Sequence, residues 1–148
     1  MKTTGPWNDA QVDRFLDECR VPLRLATHGQ SGFPMLASLW FVPLEGRLWC
    51  ATRDDARIAT LVDRDGRCAW EVSLETPPYR GVRGSANARL VPERGREILE
   101  RLIDRQGIDR DSDFAAFLLS RADEEVAIEL TPRTRVSWDF TKRMQSAA

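Results

Sequence analysis

Between Pro34 and Val91 the chain repeatedly exchanges short apolar segments for turn residues, and this constrains the fold more than any other feature. Residues 34–42 carry Met35, Leu39 and Phe41 on one alternating face and Leu36, Trp40 and Val42 on the other. Such a strand is expected to be buried on both sides. Glu45-Gly46 turns the chain into a strand over 47–52, where Leu48 and Cys50 alternate with Trp49 and Ala51. A helix follows over roughly 55–64, with Ile58, Leu61 and Val62 on its apolar side and Asp54 or Asp55 placed to cap it. Asp65-Gly66 ends that helix. Residues 67–74 set Cys68, Trp70, Val72 and Leu74 against Arg67, Glu71 and Ser73, the pattern of a half-buried strand. Pro77-Pro78 forces an extended corner. The strand after it, 79–91, contains Gly81 and Gly84, which mark bending or close backbone approach. Strands this short, with helices inserted rather than alternating regularly, describe a small, mostly antiparallel barrel with a helix laid across it.

The flanks complete that design. Residues 1–7 read as a loose tail in which Trp7 is the residue able to dock. Asn8 and Gln11 form a capping box for a helix over 9–20, with Val12, Phe15, Leu16 and Cys19 as its stripe, and Pro22 ends it. Residues 23–27 are a strand and 29–32 its hairpin loop. Beyond the central stretch come a helix over 93–106 with Ile98, Leu99, Leu102 and Ile103 inward, a shorter helix near 112–121, a strand over 124–131 and an extended segment over 134–140 with Trp138. The fold class is therefore α+β, mainly β, with six strands and a barrel core, and residues 1–148 form a single domain. A partly open barrel must have its edges covered, and a second copy of the chain supplies that cover, so a homodimer is expected.

Composition excludes several functions. The formal net charge is −1, which gives no basis for broad binding to nucleic acid or to an acidic membrane. The basic residues are almost all Arg, with Lys2 and Lys142 the only lysines, which favours planar, bidentate recognition of phosphate. Cys19, Cys50 and Cys68 are odd in number and lack metal-site spacing, so neither a disulfide framework nor a zinc site is indicated. No apolar run is long enough to span a bilayer and no signal-peptide core is visible, which makes a reduced, cytoplasmic setting the default.

The side chains offer little reactive chemistry of their own. His28 is the only histidine, at a strand end before a Gly-rich turn, so a catalytic triad or histidine metal cluster is excluded. It reads as a loop residue. Glu71, between Trp70 and Val72, is the carboxylate most worth watching, although a solvated strand-face role is the simpler account of it. An enzyme built this way needs a cofactor for the difficult step. The turn from Thr52 to Arg57 is the natural anion site, because a strand ends and a helix begins there with its N–H groups outward. Thr52, Arg53 and Arg57 would add charge-assisted bonds to a phosphate, whereas Asp54 and Asp55 would compete by capping the helix themselves. Trp40, Trp49 and Trp70 fall on central strands, where core packing is the ordinary role, and Trp40 and Tyr79 flank the barrel mouth in this reading.

Taken in order, Leu25-Ala26-Thr27, Ser38-Leu39-Trp40-Phe41, Leu48-Trp49-Cys50-Ala51-Thr52, Asp65-Gly66-Arg67 and Pro77-Pro78-Tyr79-Arg80-Gly81-Val82-Arg83-Gly84 resemble the pyridoxamine 5′-phosphate oxidase-like family of flavin-binding split β-barrels. The resemblance covers 23–91 and extends through Asp123–Ile128 to Trp138-Asp139. It implies a split barrel that dimerises around two molecules of flavin mononucleotide (FMN). Ser38, Leu39 and Trp40 would face the ring, Thr52, Arg53 and Arg57 would hold the phosphate, and Tyr79, Arg80 and Trp138 would close the site from the partner chain. The family usually has Lys where Arg57 stands, and Asp54-Asp55 departs from its pattern. The C-terminal Arg and His that bind substrate phosphate in true pyridoxamine phosphate oxidases have no counterpart here, so a vitamin B6 oxidase is not implied. The expected activity is FMN-dependent oxidation or reduction of a small molecule by hydride transfer. The alternatives are a deazaflavin-dependent reductase of the same fold and a non-catalytic flavin- or haem-binding module.

Overall fold

The computed structural model describes residues 1–146. Its alternating segments pair into one nine-stranded sheet: β1 Lys2–Thr4, β2 Leu23–His28, β3 Pro34–Leu39, β4 Val42–Leu44, β5 Arg47–Arg53, β6 Arg67–Ser73, β7 Arg80–Val91, β8 Glu125–Pro132 and β9 Thr134–Asp139. The main path runs β3-β2-β6-β7-β8-β5-β4 with every pair antiparallel, while β9 joins β7 and takes β1 as a parallel neighbour. The sheet curls so that Leu23, Leu25, Leu48, Cys50, Trp70, Val72, Val82, Ile128 and Leu130 meet in one buried cluster. Helix α1 (Asp9–Glu18) adds Val12 and Leu16 to it, and α2 (Arg57–Arg64) adds Ile58 and Val62. Helix α3 (Gly95–Arg105) lays Ile98 and Leu102 against Trp49 and Ala127 in a second cluster. Two short helices, α4 (Asp113–Leu119) and α5 (Thr141–Ser146), complete the described chain. This is the mainly β, split-barrel arrangement with flanking helices that the alternation implies, and Trp49 and Trp70 are core residues within it.

The departures from expectation have local causes. The sheet has nine strands rather than six because two are three-residue strands and the extended segment over 134–140 pairs fully as β9. Lys2–Thr4 are not a loose tail. They are polar, so no hydrophobic signal marks them, yet they pair in register with Thr134–Val136. The predicted strand 34–42 breaks at Trp40 and Phe41 and resumes as β4, whose Pro43 cannot donate to a ladder and sits on an edge strand. Burial of this segment on both faces is not met within one chain. Met35, Ala37 and Leu39 pack against the core, but Leu36 remains 73% exposed. Neither Asp54 nor Asp55 caps α2. Its N-cap is Ala56, with no side-chain bond, because the Asp55 carboxylate takes both a 3.2 Å and a 3.3 Å bond from Arg53 instead. The capping box of Asn8 and Gln11 forms as expected. Both strand glycines sit at close approaches: a Cβ on Gly84 would lie 1.8 Å from the Thr134 carbonyl oxygen, and one on Gly81 would lie 2.5 Å from the Trp138 ring.

One buried cation ties the N-terminal segment down. Arg135, 5% exposed, donates to Thr3 Oγ1, Asp9 Oδ1 and Asp13 Oδ1, which joins β9 to β1 and α1. Trp7 does dock: its Nε1–H donates to Asp139 at 3.3 Å and its ring meets Phe15 at 5.0 Å. Elsewhere the core carries an unmet polar group. Thr27 is 3% exposed and its hydroxyl has no partner among the described residues. Removing a buried unpaired hydroxyl while keeping the β-branched shape relieves a desolvation cost of about 1–3 kcal/mol. Thr27→Val should therefore raise stability by roughly 1 kcal/mol, read as a higher urea midpoint with an unchanged slope. A lower midpoint would show that the hydroxyl is satisfied.

Candidate functional site

The pairing pattern leaves one place where the barrel does not close. β5 pairs with β8 over Leu48–Arg53 but with β4 only over Arg47–Trp49. Its remaining edge, Cys50–Arg53, has no strand beside it. Across the gap stands the end of β3, whose one strand neighbour among the described residues is β2. A cleft of about 320 Å³ occupies the gap, with Ser38, Leu39 and Trp40 on one wall and Ala51, Thr52 and Arg53 on the other. Leu99 and Leu102 of α3, Leu118 of α4 and Glu125 at the start of β8 complete it. Trp40 is steadied by Phe114, whose ring meets it edge-on at 6.5 Å.

Charge in the cleft is distributed unevenly. Arg53 is already engaged, by Asp55 and by Glu124 at 3.7 Å. The Glu125 carboxylate accepts no hydrogen bond from the described residues. Burial raises the pKa of its carboxyl, with attraction to Arg53 opposing and Asp54 reinforcing the shift. Just beyond the cleft Arg57 opens α2, exposed and with no ion pair to a described residue. Since no side chain caps this helix, the N–H groups of Arg57 and Ile58 find no acceptor among the described residues. A strand edge with free polar groups thus leads into a helix start with free donors.

The nine residues singled out from sequence divide into two places. Ser38, Leu39, Trp40, Thr52 and Arg53 share the cleft, and Arg57 follows four residues after Arg53 at the start of α2. Tyr79, Arg80 and Trp138 lie instead where β7 meets β9, three strands from β3 in the sheet order. Arg80 is opposite Asp139, and the Trp138 ring lies over Gly81 with the Arg83 guanidinium 4.3 Å from its centre. Tyr79 does not line the cleft with Trp40. His28 is exposed at the end of β2, where its carbonyl accepts from Arg64, and Glu71 is paired with Arg83 at 2.9 Å. No group of three or more potential metal ligands occurs among the described residues. No helix among them is long and apolar enough to cross a membrane.

Two other hollows mark the surface. One, of about 470 Å³, lies between α1 and the β4–β5 turn, but its Asp9 and Asp13 are held by Arg135. The second, of about 570 Å³, is lined only by strand residues: Ala26, Leu36, Ala69, Trp70, Gly84 and Val136, with Arg24, Glu71 and Arg83 around them. Phe33, at the tip of the β2–β3 hairpin, is 77% exposed.

Sequence reading missed Glu125 and the leucine floor. Leu99, Leu102 and Leu118 were legible as core positions of helices, and nothing in their spacing says that they face a gap. Glu125 follows Asp123-Glu124, and nothing in the sequence separates it from those acidic neighbours.

No family model matches the chain, and no curated protein matches it. Solved structures do. A conserved hypothetical protein from Mycobacterium tuberculosis is 23% identical, with a TM-score of 0.78 over 94% of this chain and 89% of that one. An F420 reductase is 19% identical, with a TM-score of 0.66 over 81% and 92%. A Listeria innocua protein assigned as a pyridoxamine 5′-phosphate oxidase is 14% identical, with a TM-score of 0.65 over 85% and 94%. At these identities the likeness establishes the fold, which is the split barrel shared by pyridoxamine 5′-phosphate oxidase-like and F420 reductase structures.

Proposed function

We propose that this chain is an FMN-dependent oxidoreductase acting on a small molecule by hydride transfer, and that it works as a homodimer with the flavin in the β3/β5 cleft. The observation that carries this reading is the free edge of β5 running into the uncapped start of α2. The residues fit the group. Leu39 and Trp40 share the cleft with Leu99 and Leu102, an apolar lining that suits a ring, and the open edge of Cys50–Arg53, whose other edge is paired to β8, would offer backbone groups to ring carbonyl and N–H groups. The Thr52 hydroxyl, the Arg57 guanidinium and the free N–H groups of α2 suit a phosphate, and Asp55 is turned away by its bond to Arg53. When bound, the flavin supplies the hydride chemistry. The chain's own part is to orient the ring, hold the phosphate and exclude water.

The bare strand face with Leu36 at its centre supports the homodimer, because contiguous exposed apolar surface marks an interaction site. In that dimer Tyr79, Arg80 and Trp138 of the partner copy would close the cleft, since they cannot reach it within one chain. The test is absorbance of the purified protein together with the mass of the chromophore it releases on denaturation. FMN is the expected result, and a protein that takes up no flavin would end the reading. Because an F420 reductase shares the fold, a deazaflavin is the second reading, and the same mass measurement separates the two. Arg57→Ala should weaken FMN binding by about 1–3 kcal/mol, the worth of a charged hydrogen bond, and leave the fold intact because Arg57 is exposed. Unchanged affinity by fluorescence titration would remove Arg57 from the site.

A further inference from the structure

Apart from Arg53, Glu125 is the only ionisable group lining the cleft, and it alone lacks a partner. The residues around it explain this. Its cross-strand neighbour on β5 is Arg53, whose guanidinium is committed to Asp55 and Glu124. Asp54 in the loop after β5 adds a like charge. From α3 and α4 the cleft receives only Leu99, Leu102 and Leu118. The backbone that carries it is closely packed. Gly95, the first residue of α3, packs so tightly on β8 that a Cβ there would lie 1.9 Å from the Glu125 carbonyl oxygen.

Open to water, a carboxylate in this position keeps its charge at a modest cost. A flat ligand that fills the cleft removes the remaining water and brings apolar surface against it, and an isolated buried carboxylate neutralises rather than stay charged. We propose that Glu125 is the proton-exchanging residue of the cleft: a neutral planar ligand that enters drives it to take up a proton, and the resulting carboxyl donates a hydrogen bond to an acceptor on that ligand. The inference rests on the flavin reading, because it takes the occupant to be a neutral ring. The proton comes from solvent and returns to it when the ligand leaves. Binding linked to proton uptake must weaken as pH rises. A ligand bearing a cation against Glu125 would neutralise the carboxylate without taking up a proton.

The test is calorimetric titration with FMN at neutral pH in two buffers of different ionisation enthalpy, on the wild type and on Glu125→Gln. Gln keeps the shape and cannot titrate, and any proton exchange by the FMN phosphate is common to both proteins. Net proton uptake that is present in the wild type and reduced in the variant supports the proposal. So does a wild-type affinity that falls with rising pH while that of the variant changes less. Equal uptake in the two proteins overturns it. If neither protein binds FMN, the flavin reading fails and the proposal is judged on the ligand-free protein, by carbon NMR titration of the Glu125 carboxyl. A midpoint in the ordinary carboxylate range, the same as those of exposed glutamates, overturns it there as well.

Discussion

If the chain is the proposed flavin-holding homodimer, Leu36→Glu should yield a folded monomer that no longer retains flavin. Leu36 is 73% exposed on β3, opposite Ala26 in the β2–β3 register, and Ala26 is opposite Ala69 on β6. This row of small and apolar residues crosses three strands with no helix residue lining the hollow above it. A two-fold interface uses the same patch from both copies, so one substitution acts twice. A carboxylate left unpaired in such an interface costs about 3–5 kcal/mol, so the dissociation constant should rise by more than roughly a thousandfold. Within the isolated chain Leu36 contributes little, and the variant should keep its circular dichroism and thermal transition. Light scattering behind size exclusion reads the mass directly. A wild-type protein that runs as a single chain at micromolar concentration would sink the dimer, and with it the role of Tyr79, Arg80 and Trp138 as partner-supplied residues.

Gly84→Ala should be the most damaging single-methyl change available in the sheet. Gly84 faces Trp70 on β6, and on its other side β9 approaches until the Thr134 carbonyl is 1.8 Å from where a Cβ would stand. That atom is backbone and cannot rotate away. Either β7 or the start of β9 must move by more than an ångström, which disturbs the bond from the Ser85 N–H to Thr134 Oγ1 and the Arg83–Val136 pairing. Overpacking of this kind costs about 1–3 kcal/mol and sometimes more, and the upper end is expected because the obstacle is backbone. The check is a chemical denaturation curve, with Gly32→Ala as a comparison in which strain alone acts. Gly32 has φ +85° and no atom within 4 Å of an added Cβ. A Gly84→Ala loss no greater than the Gly32→Ala loss would show that β9 gives way freely.

The parts of this molecule that follow period-two and helical spacing were readable from the chain. Strand β6, helices α1 and α3 and the glycine close approaches all came from pattern, because burial imposes pattern. Other features came from competition that pattern cannot express. The α2 cap went wrong because Asp55 had a better partner in Arg53 two residues earlier than in the helix N–H groups. β1 was invisible because Lys2-Thr3-Thr4 bury almost nothing and are held by backbone pairing and by Arg135. The cleft was half legible. Thr52 and Arg53 stood out as a strand end before a helix and Ser38–Trp40 only through the family resemblance, whereas Glu125 and the three leucines acquire their role only when α3 and α4 fold against the gap.

The parallel pairing of β1 with β9 sets a kinetic property. Nearly the whole chain separates Lys2–Thr4 from Thr134–Val136, so closing this clasp first would cost the most loop entropy and it is expected to fasten after the barrier that controls refolding; an Arg135→Ala variant that refolds more slowly would overturn this. Contacts made that late slow escape from the native state and leave the speed of reaching it unchanged. Arg135, the rivet that secures the clasp, therefore governs how long a molecule stays folded more than how quickly it gets there.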